Sequence, residues 1–218
     1  YFGFKCLSDL FDEKKYYQEV IQGSSFNFAG NGNFYKSHKL NNLVEKKMIL
    51  RFLEKNGSEN YNTQSSWGFY DDIVFDYSIS RVKDLENSKK NYALWINTLD
   101  NHPPNGFLSD KCKKISKNIR EQLLKTAFCT DFYINNFINE TIINDKDKNN
   151  LFIVISDHLL MESQVSKKFF KNEKRKNLFL IIDPYRIKKK ILNKTPGNQF
   201  DIPATIINYL SDEERIGI

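Results

Sequence analysis

The stretch NNLFIVISDHLLMES, residues 149 to 163, changes abruptly from an apolar run, Leu151 to Ile155, to Ser156, Asp157 and His158. A short, continuous apolar run bounded by polar residues suits a strand buried on both faces, as strands of parallel sheets are. The chain leaves that strand through an acid and an imidazole side by side. Two readings follow from the residues alone. Asp157 can cap the turn while His158 faces solvent, or a carboxylate oxygen and an imidazole nitrogen can share one divalent cation.

Three further runs have the same character. NLFLIID (177 to 183) is closed by Pro184, NYALWINTL (91 to 99) runs into DNHPPNG, and YYQEVIQGSS (16 to 25) breaks at Gly23. Helical spacing fills much of the remainder. Residues 6 to 15 read as a short helix. Residues 71 to 86 place Ile73, Val74, Tyr77 and Val82 on one side, with Asp71 and Asp72 suited to the positive N-terminus. Residues 116 to 143 form the longest helical pattern, with Ile119, Leu123, Ala127, Phe128, Tyr133 and Phe137 as its expected buried face. A last helix is expected near Asp201, which can cap it, with Pro203 in the first turn. The segment FNFAGNGNFYKSH (26 to 38) is rich in turn formers. Apolar strands alternating with amphipathic helices predict an α/β fold, a sheet with helices on both faces.

Ligands of open α/β sheets bind beyond the carboxyl ends of the strands. Two strands end in fitting polar clusters, NTLDNH and SDH. The chain has three histidines, and His102 and His158 stand at those two ends, while His38 follows the glycine-rich turn.

Composition sets the outer bounds. The 218 residues suit one domain, and 40% hydrophobic with 14% aromatic residues argue against disorder. The net charge of +6 is spread among 27 acids, and no arginine-rich, aromatic-interleaved stripe suggests nucleic-acid binding. The basic segment 167 to 176 reads as a solvated face. No run of 18 apolar residues and no signal peptide is present. The chain opens with Tyr1 rather than Met, as though inside a domain, so an earlier part is expected to be missing. Cys6, Cys112 and Cys129 fit one disulfide plus one thiol, or three buried thiols, and no Cys/His spacing indicates zinc.

Taken in order, CLSDLF, GSSFNFAGNGNFYKSH, WGFYDDIVFDYS, ALWINTLDNHPP, ISDHLLM and RKNLFLIIDP resemble the sulfatase-like phosphoglycerol transferases of the alkaline phosphatase superfamily. The enzymes that modify periplasmic glucans and the lipoteichoic acid synthases share this pattern. The resemblance runs from about residue 4 to residue 210, so residues 1 to 218 are expected to form part of a sulfatase-like catalytic domain. It implies that Asp157 and His158 ligate a catalytic divalent metal: manganese foremost, with magnesium, zinc or calcium as alternatives. It implies that His102 meets the phosphoryl group and moves a proton. Gly30 and Asn31 would lie in a substrate-facing loop, although the family commonly carries a charged residue near Asn31. Trp67 and Gly68 would pack beside the site, and His38 would be structural. A Cys112–Cys129 disulfide is implied, leaving Cys6 to a partner upstream.

The family nucleophile, a threonine, and an acidic metal ligand would both precede Tyr1. The implied substrates are phosphatidylglycerol and a glycan acceptor, with no nucleic-acid partner. The implied location is the inner membrane, held by an N-terminal anchor, with a periplasmic catalytic domain. A sulfatase, a phosphoethanolamine transferase or a degenerate, non-catalytic binding module are the alternatives that the same pattern allows.

Overall fold

The computed structural model describes residues 5–58, 62–162, 164–169, 171, 175–187, 189–193 and 195–211. Ser163 of the opening stretch and residues 170 and 172–174 of the basic segment lie outside the described residues, as does residue 4, where the resemblance begins.

The centre of the fold is β1 (Tyr17–Gln22), flanked in parallel by β2 (Asn42–Leu43) and β5 (Tyr92–Asn97). Alternation of side chains along β1 assigns its two faces. Ile21 joins Val44, α3 (Lys46–Lys55) through Ile49 and Leu53, and α4 (Asp71–Ser88) through Val74 and Tyr77. On that same face the buried Glu19 carboxylate accepts two bonds from Arg81 of α4, at 2.9 and 3.0 Å, and one from the Tyr17 hydroxyl at 2.7 Å. The opposite face is covered by α1 (Leu7–Glu13) and α2 (Asn31–Ser37). There Gln18 donates to the Ser8 carbonyl at 2.9 Å, and Tyr35 of α2 meets Gln22 and Asn97. The parallel sheet is therefore covered by helices on both sides, and the α/β reading holds.

A second core lies on the far side of α4. Phe75 and Val82 pack there with Cys112 of α5 (Asp110–Ile115), with Cys129, Tyr133 and Phe137 of α6 (Gln122–Asn144), and with Phe152 of β6 (Phe152–Ile155). Cys112 and Cys129 are joined by a disulfide across 17 residues. The small antiparallel hairpin of β3 (Gln64–Ser65) and β4 (Gly68–Phe69) sits at the end of β1.

Four expectations need correction. The segment 26 to 38 is not all turn: a 3-10 turn at Phe28–Gly30 leads straight into α2, whose helix begins at the Asn31 that the composition assigned to a loop. The long helix starts at Gln122 rather than residue 116, because Ser116 closes α5 by donating its hydroxyl to the Cys112 carbonyl at 2.7 Å. Ala127 and Phe128 are exposed, whereas Thr126, Cys129, Thr130 and Thr141 are buried against the core. Small side chains fit the close α4–α6 contact, and the Thr126 and Thr130 hydroxyls enter the core with partners, the Leu123 carbonyl at 2.9 Å and Asp71 at 3.2 Å. Asp201 is the first residue of α8 (Asp201–Leu210) rather than its cap; its carboxylate instead accepts the Asn198 amide at 2.7 Å.

The opening stretch also differs in detail. Strand β6 pairs antiparallel with β7 (Phe179–Ile182) as a two-stranded unit, separate from the parallel sheet among the described residues. Phe152 and Ile182 face the second core, while Ile155 and Leu180 are exposed. A continuous apolar run therefore marks a strand here, but not one buried on both faces. The remaining helix, α7 (Gln164–Phe169), lies between the two strands in sequence. No helix of the described residues is long and apolar enough to cross a membrane.

Candidate active site

The carboxyl ends of β1 and β5 open onto one edge of the parallel sheet, and three segments converge there. After β1 the chain passes Gly23 into the Phe28–Gly30 turn, where Ala29 and Gly30 both have positive φ, 49° and 76°. After β5 a loop carries His102. Between them the β3–β4 hairpin presents Trp67. Gly68 fixes that hairpin: its φ is +143°, and a Cβ there would stand 2.1 Å from the Gly23 carbonyl oxygen. The Phe69 amide donates to the same oxygen at 3.0 Å. Only glycine permits so close an approach in that conformation. With the hairpin held flat, the Trp67 ring lies 4.7 Å from His102, 5.6 Å from Phe107 and 6.0 Å from Phe28. Trp67 remains 42% exposed and Phe28 60% exposed, so the rings form an open aromatic shelf with an imidazole within it.

The His102 ring is oriented locally. Its Nδ1 lies 2.7 Å from the Pro103 carbonyl oxygen, which requires a proton on Nδ1 and leaves the Nε2 lone pair free in the neutral ring. The His102 amide donates to Leu99, and the Phe107 amide to the Asp100 carbonyl at 2.7 Å, closing the loop on itself. At Gly106 (φ +70°) a Cβ would meet that Asp100 carbonyl at 2.4 Å and the Thr126 side chain at 2.7 Å. The Pro103–Pro104 peptide is cis.

Beneath the loop lies a pair of carboxylates that sequence reasoning did not assign to the site. Asp71, fully buried at the start of α4, accepts the amides of Leu99 at 2.7 Å and Asp100 at 3.2 Å, and the Thr130 hydroxyl at 3.2 Å. In return its own amide donates to the Asp100 carboxylate at 2.8 Å. Burial raises the pKa of both acids, Asp71 to about 6 and Asp100, with the charge of Asp71 adding, to about 8. Among the described residues Asp100 Oδ1 is buried without a partner, which costs less for a neutral carboxyl group than for a carboxylate. Asp71 was legible only as a residue favouring a helix start. Its reach across 28 residues to Leu99 is tertiary.

Asp157 and His158 stand at the end of β6. Asp157 Oδ1 accepts the His158 amide at 2.9 Å, and His158 Nδ1 lies 2.8 Å from the Leu159 carbonyl oxygen. This again puts a proton on Nδ1, and Nε2 lies 3.4 Å from Asp157 Oδ2. A carboxylate oxygen and an imidazole nitrogen at that separation, the ring held through its other nitrogen by a carbonyl, fit two ligands of one divalent ion. The pair is exposed, the Asp157 side chain by 86%. Gln199 donates to the Asp157 carbonyl, tying the segment before α8 to this turn.

The predicted residues thus form two groups. Gly30 is exposed, and Asn31 is half-buried at the first position of α2, both in the segment whose Phe28 touches Trp67 and through it His102. Among the described residues no hydrogen bond, ion pair or ring contact joins that group to Asp157 and His158. His38 belongs to neither. Its Nδ1 meets Asp9 Oδ2 at 3.1 Å.

The family model described as Sulfatase matches residues 2–212, and the chain belongs to that family. Among curated proteins it is 28% identical over 216 residues to phosphoglycerol transferase I of Shigella flexneri and to the protein of that name from Escherichia fergusonii. Each alignment covers 98% of this chain and 27% of the relative, so the chain spans about a quarter of their length. Two solved structures share its fold. One is a protein in the alkaline phosphatase superfamily from Vibrio parahaemolyticus, with TM-score 0.56, 22% identity, and 83% of this chain and 41% of that one covered. The other is a lipoteichoic acid synthase from Listeria monocytogenes, with TM-score 0.57, 10% identity, and 76% and 40% covered.

Proposed function

We propose that this chain forms the C-terminal portion of a sulfatase-like catalytic domain that transfers phosphoglycerol from phosphatidylglycerol to a glycan. The observation carrying this reading is the paired geometry of Asp157 and His158 in a chain of this family, with relatives called phosphoglycerol transferase I along its whole length. The two side chains would hold a divalent ion, manganese foremost, which supplies charge stabilisation at the phosphoryl oxygens and a lowered pKa for the attacking hydroxyl.

The other residues act through hydrogen bonds and shape. A threonine outside the chain would attack phosphorus, and diacylglycerol would leave with a proton. A glycan hydroxyl would then attack the phosphoglyceryl-threonine, phosphorus passing to the sugar oxygen and the threonine oxygen recovering a proton. His102 Nε2, free of the Nδ1–Pro103 contact, is the group in this chain suited to take the proton of the incoming hydroxyl or to return it. The Trp67 and Phe28 rings offer apolar faces beside it, and Gly30 and Asn31, which follow Phe28 in the chain, are proposed to face the substrate there. The whole protein is proposed to work at the inner membrane, with this domain on the periplasmic side.

The decisive experiment uses Mn²⁺ paramagnetic resonance on the chain together with turnover of the full coding-length protein on a phosphatidylglycerol analogue. Asp157→Ala is expected to release bound Mn²⁺ and to abolish transfer to the glycan. Unchanged Mn²⁺ binding and a near-normal rate would remove the assignment.

A further inference from the structure

Outside the proposed active site, one set of side chains brings three different metal-binding chemistries together. Cys6, immediately before α1, Asp9 in its first turn, and His38, just after α2, offer a sulfur, a carboxylate oxygen and an imidazole nitrogen, all within 4.8 Å of one another. Each is part-buried, and two separate helices supply them. The first turn of α1 sets Cys6 and Asp9, because the Cys6 amide donates to Asp9 Oδ2 at 2.8 Å. The last turn of α2 sets His38, whose amide bonds the Phe34 and Tyr35 carbonyls and whose ring lies 4.8 Å from Phe34. A capping box formed by Cys6 and Asp9 accounts for both residues at the start of α1, but it does not require the His38 imidazole that α2 brings against them. An Asp–His contact explains two of the groups and leaves the thiol in the same small space.

We infer that Cys6, Asp9 and His38 form a second metal site, one for a zinc-class divalent ion, built from the ends of α1 and α2. A thiolate with an imidazole and a carboxylate selects zinc or cobalt over magnesium, calcium and manganese, which prefer oxygen. Thiolate and carboxylate together balance a divalent charge, and three protein donors leave one tetrahedral position for water. The donor set differs from the oxygen-and-nitrogen pair of Asp157 and His158, and the site stands or falls independently of the proposed transferase chemistry.

Cobalt makes the test specific, because a sulfur-to-cobalt charge-transfer band in the near ultraviolet requires a thiolate ligand. With Cys112 and Cys129 tied in their disulfide, Cys6 is the chain's one free thiol. Co²⁺ titrated into the folded 218-residue chain is expected to give that band with an intensity matching one thiolate-bound ion per chain, and Zn²⁺ is expected to displace it. Cys6→Ser should abolish the band. His38→Ala, checked for folding by circular dichroism, should weaken Co²⁺ binding by about tenfold or more. Asp157→Ala should leave the sulfur-to-cobalt band and its titration midpoint unchanged, because that residue contributes nothing to the thiolate site. The inference is overturned by a missing band in a chain whose Cys6 reacts with a thiol reagent, by a band that survives His38→Ala at full affinity, or by a Cys6 already covalently bonded in protein isolated without reductant.

Discussion

The two ends of the candidate site are built in opposite ways. The His102 loop is clamped from beneath by a fully buried carboxylate, closed by its own amides and limited by Gly106. The Asp157–His158 turn is exposed and held by little more than contacts to its own backbone and Gln199. The difference teaches where positional accuracy is stored. In the proposed role, a proton-transfer imidazole has to be set by the protein before substrate arrives, and the fold gives His102 a rigid floor. A proposed ligand pair such as Asp157 and His158 would be drawn into register by the charge of the ion, so it can stand on an open strand end at little cost to the fold.

That contrast is open to attack, first through activity. Asp157→Ala in the full-length protein should cost several kcal/mol of transition-state stabilisation, about a thousandfold in rate. The same change should shift the chain's unfolding midpoint hardly at all, by less than about 0.5 kcal/mol, as exposed positions do. A large loss of stability at Asp157 would erase the distinction between the two ends.

Asp71→Ala should behave in the reverse sense. It leaves the amides of Leu99 and Asp100 and the Thr130 hydroxyl without their acceptor, and denaturant unfolding should register about 2–4 kcal/mol of lost stability. Gly68→Ala comes next, since its Cβ would press on the Gly23 carbonyl. We expect about 1–3 kcal/mol, accompanied by a change in Trp67 fluorescence as the hairpin lifts from His102. Unaltered emission would disconnect the glycine contact from the aromatic shelf.

A further test concerns pH. Asp100 is raised to about 8 in the folded state by burial and by Asp71, so between roughly pH 4, the usual carboxylate range, and pH 8 the unfolded chain has lost a proton that the folded chain keeps. Stability must therefore fall as pH rises through that window. Asp100→Asn, which cannot ionise, should flatten the dependence of the melting temperature on pH between 5 and 8. An identical slope in the variant would mean that Asp100 is ionised in the fold.

Much of this organisation is legible along the chain. Apolar runs located β1, β5, β6 and β7, and the acids at 71 and 72 marked the start of α4. The polar strand ends directed attention to His102, Asp157 and His158. The errors share a physical origin. Hydropathy assigned Phe128 to the interior and overlooked Thr126 and Thr130, because it does not register that a close helix contact favours small side chains with satisfied hydroxyls. It read β6 as doubly buried, because an apolar run does not reveal whether a strand has one neighbour or two.

By itself, the sequence determined the alternation of strands and helices, the strand ends where chemistry is concentrated, and, through its ordered motifs, the sulfatase family. These follow from local spacing and residue type, which chain neighbours fix. Tertiary structure alone decided that Asp71 clamps the His102 loop, that Gly23 and Gly68 meet to lay Trp67 beside the imidazole, and that Cys6 and Asp9 converge with His38. Each joins segments separated by 28 or more residues, and no local pattern specifies contacts formed only when the sheet and its helices pack.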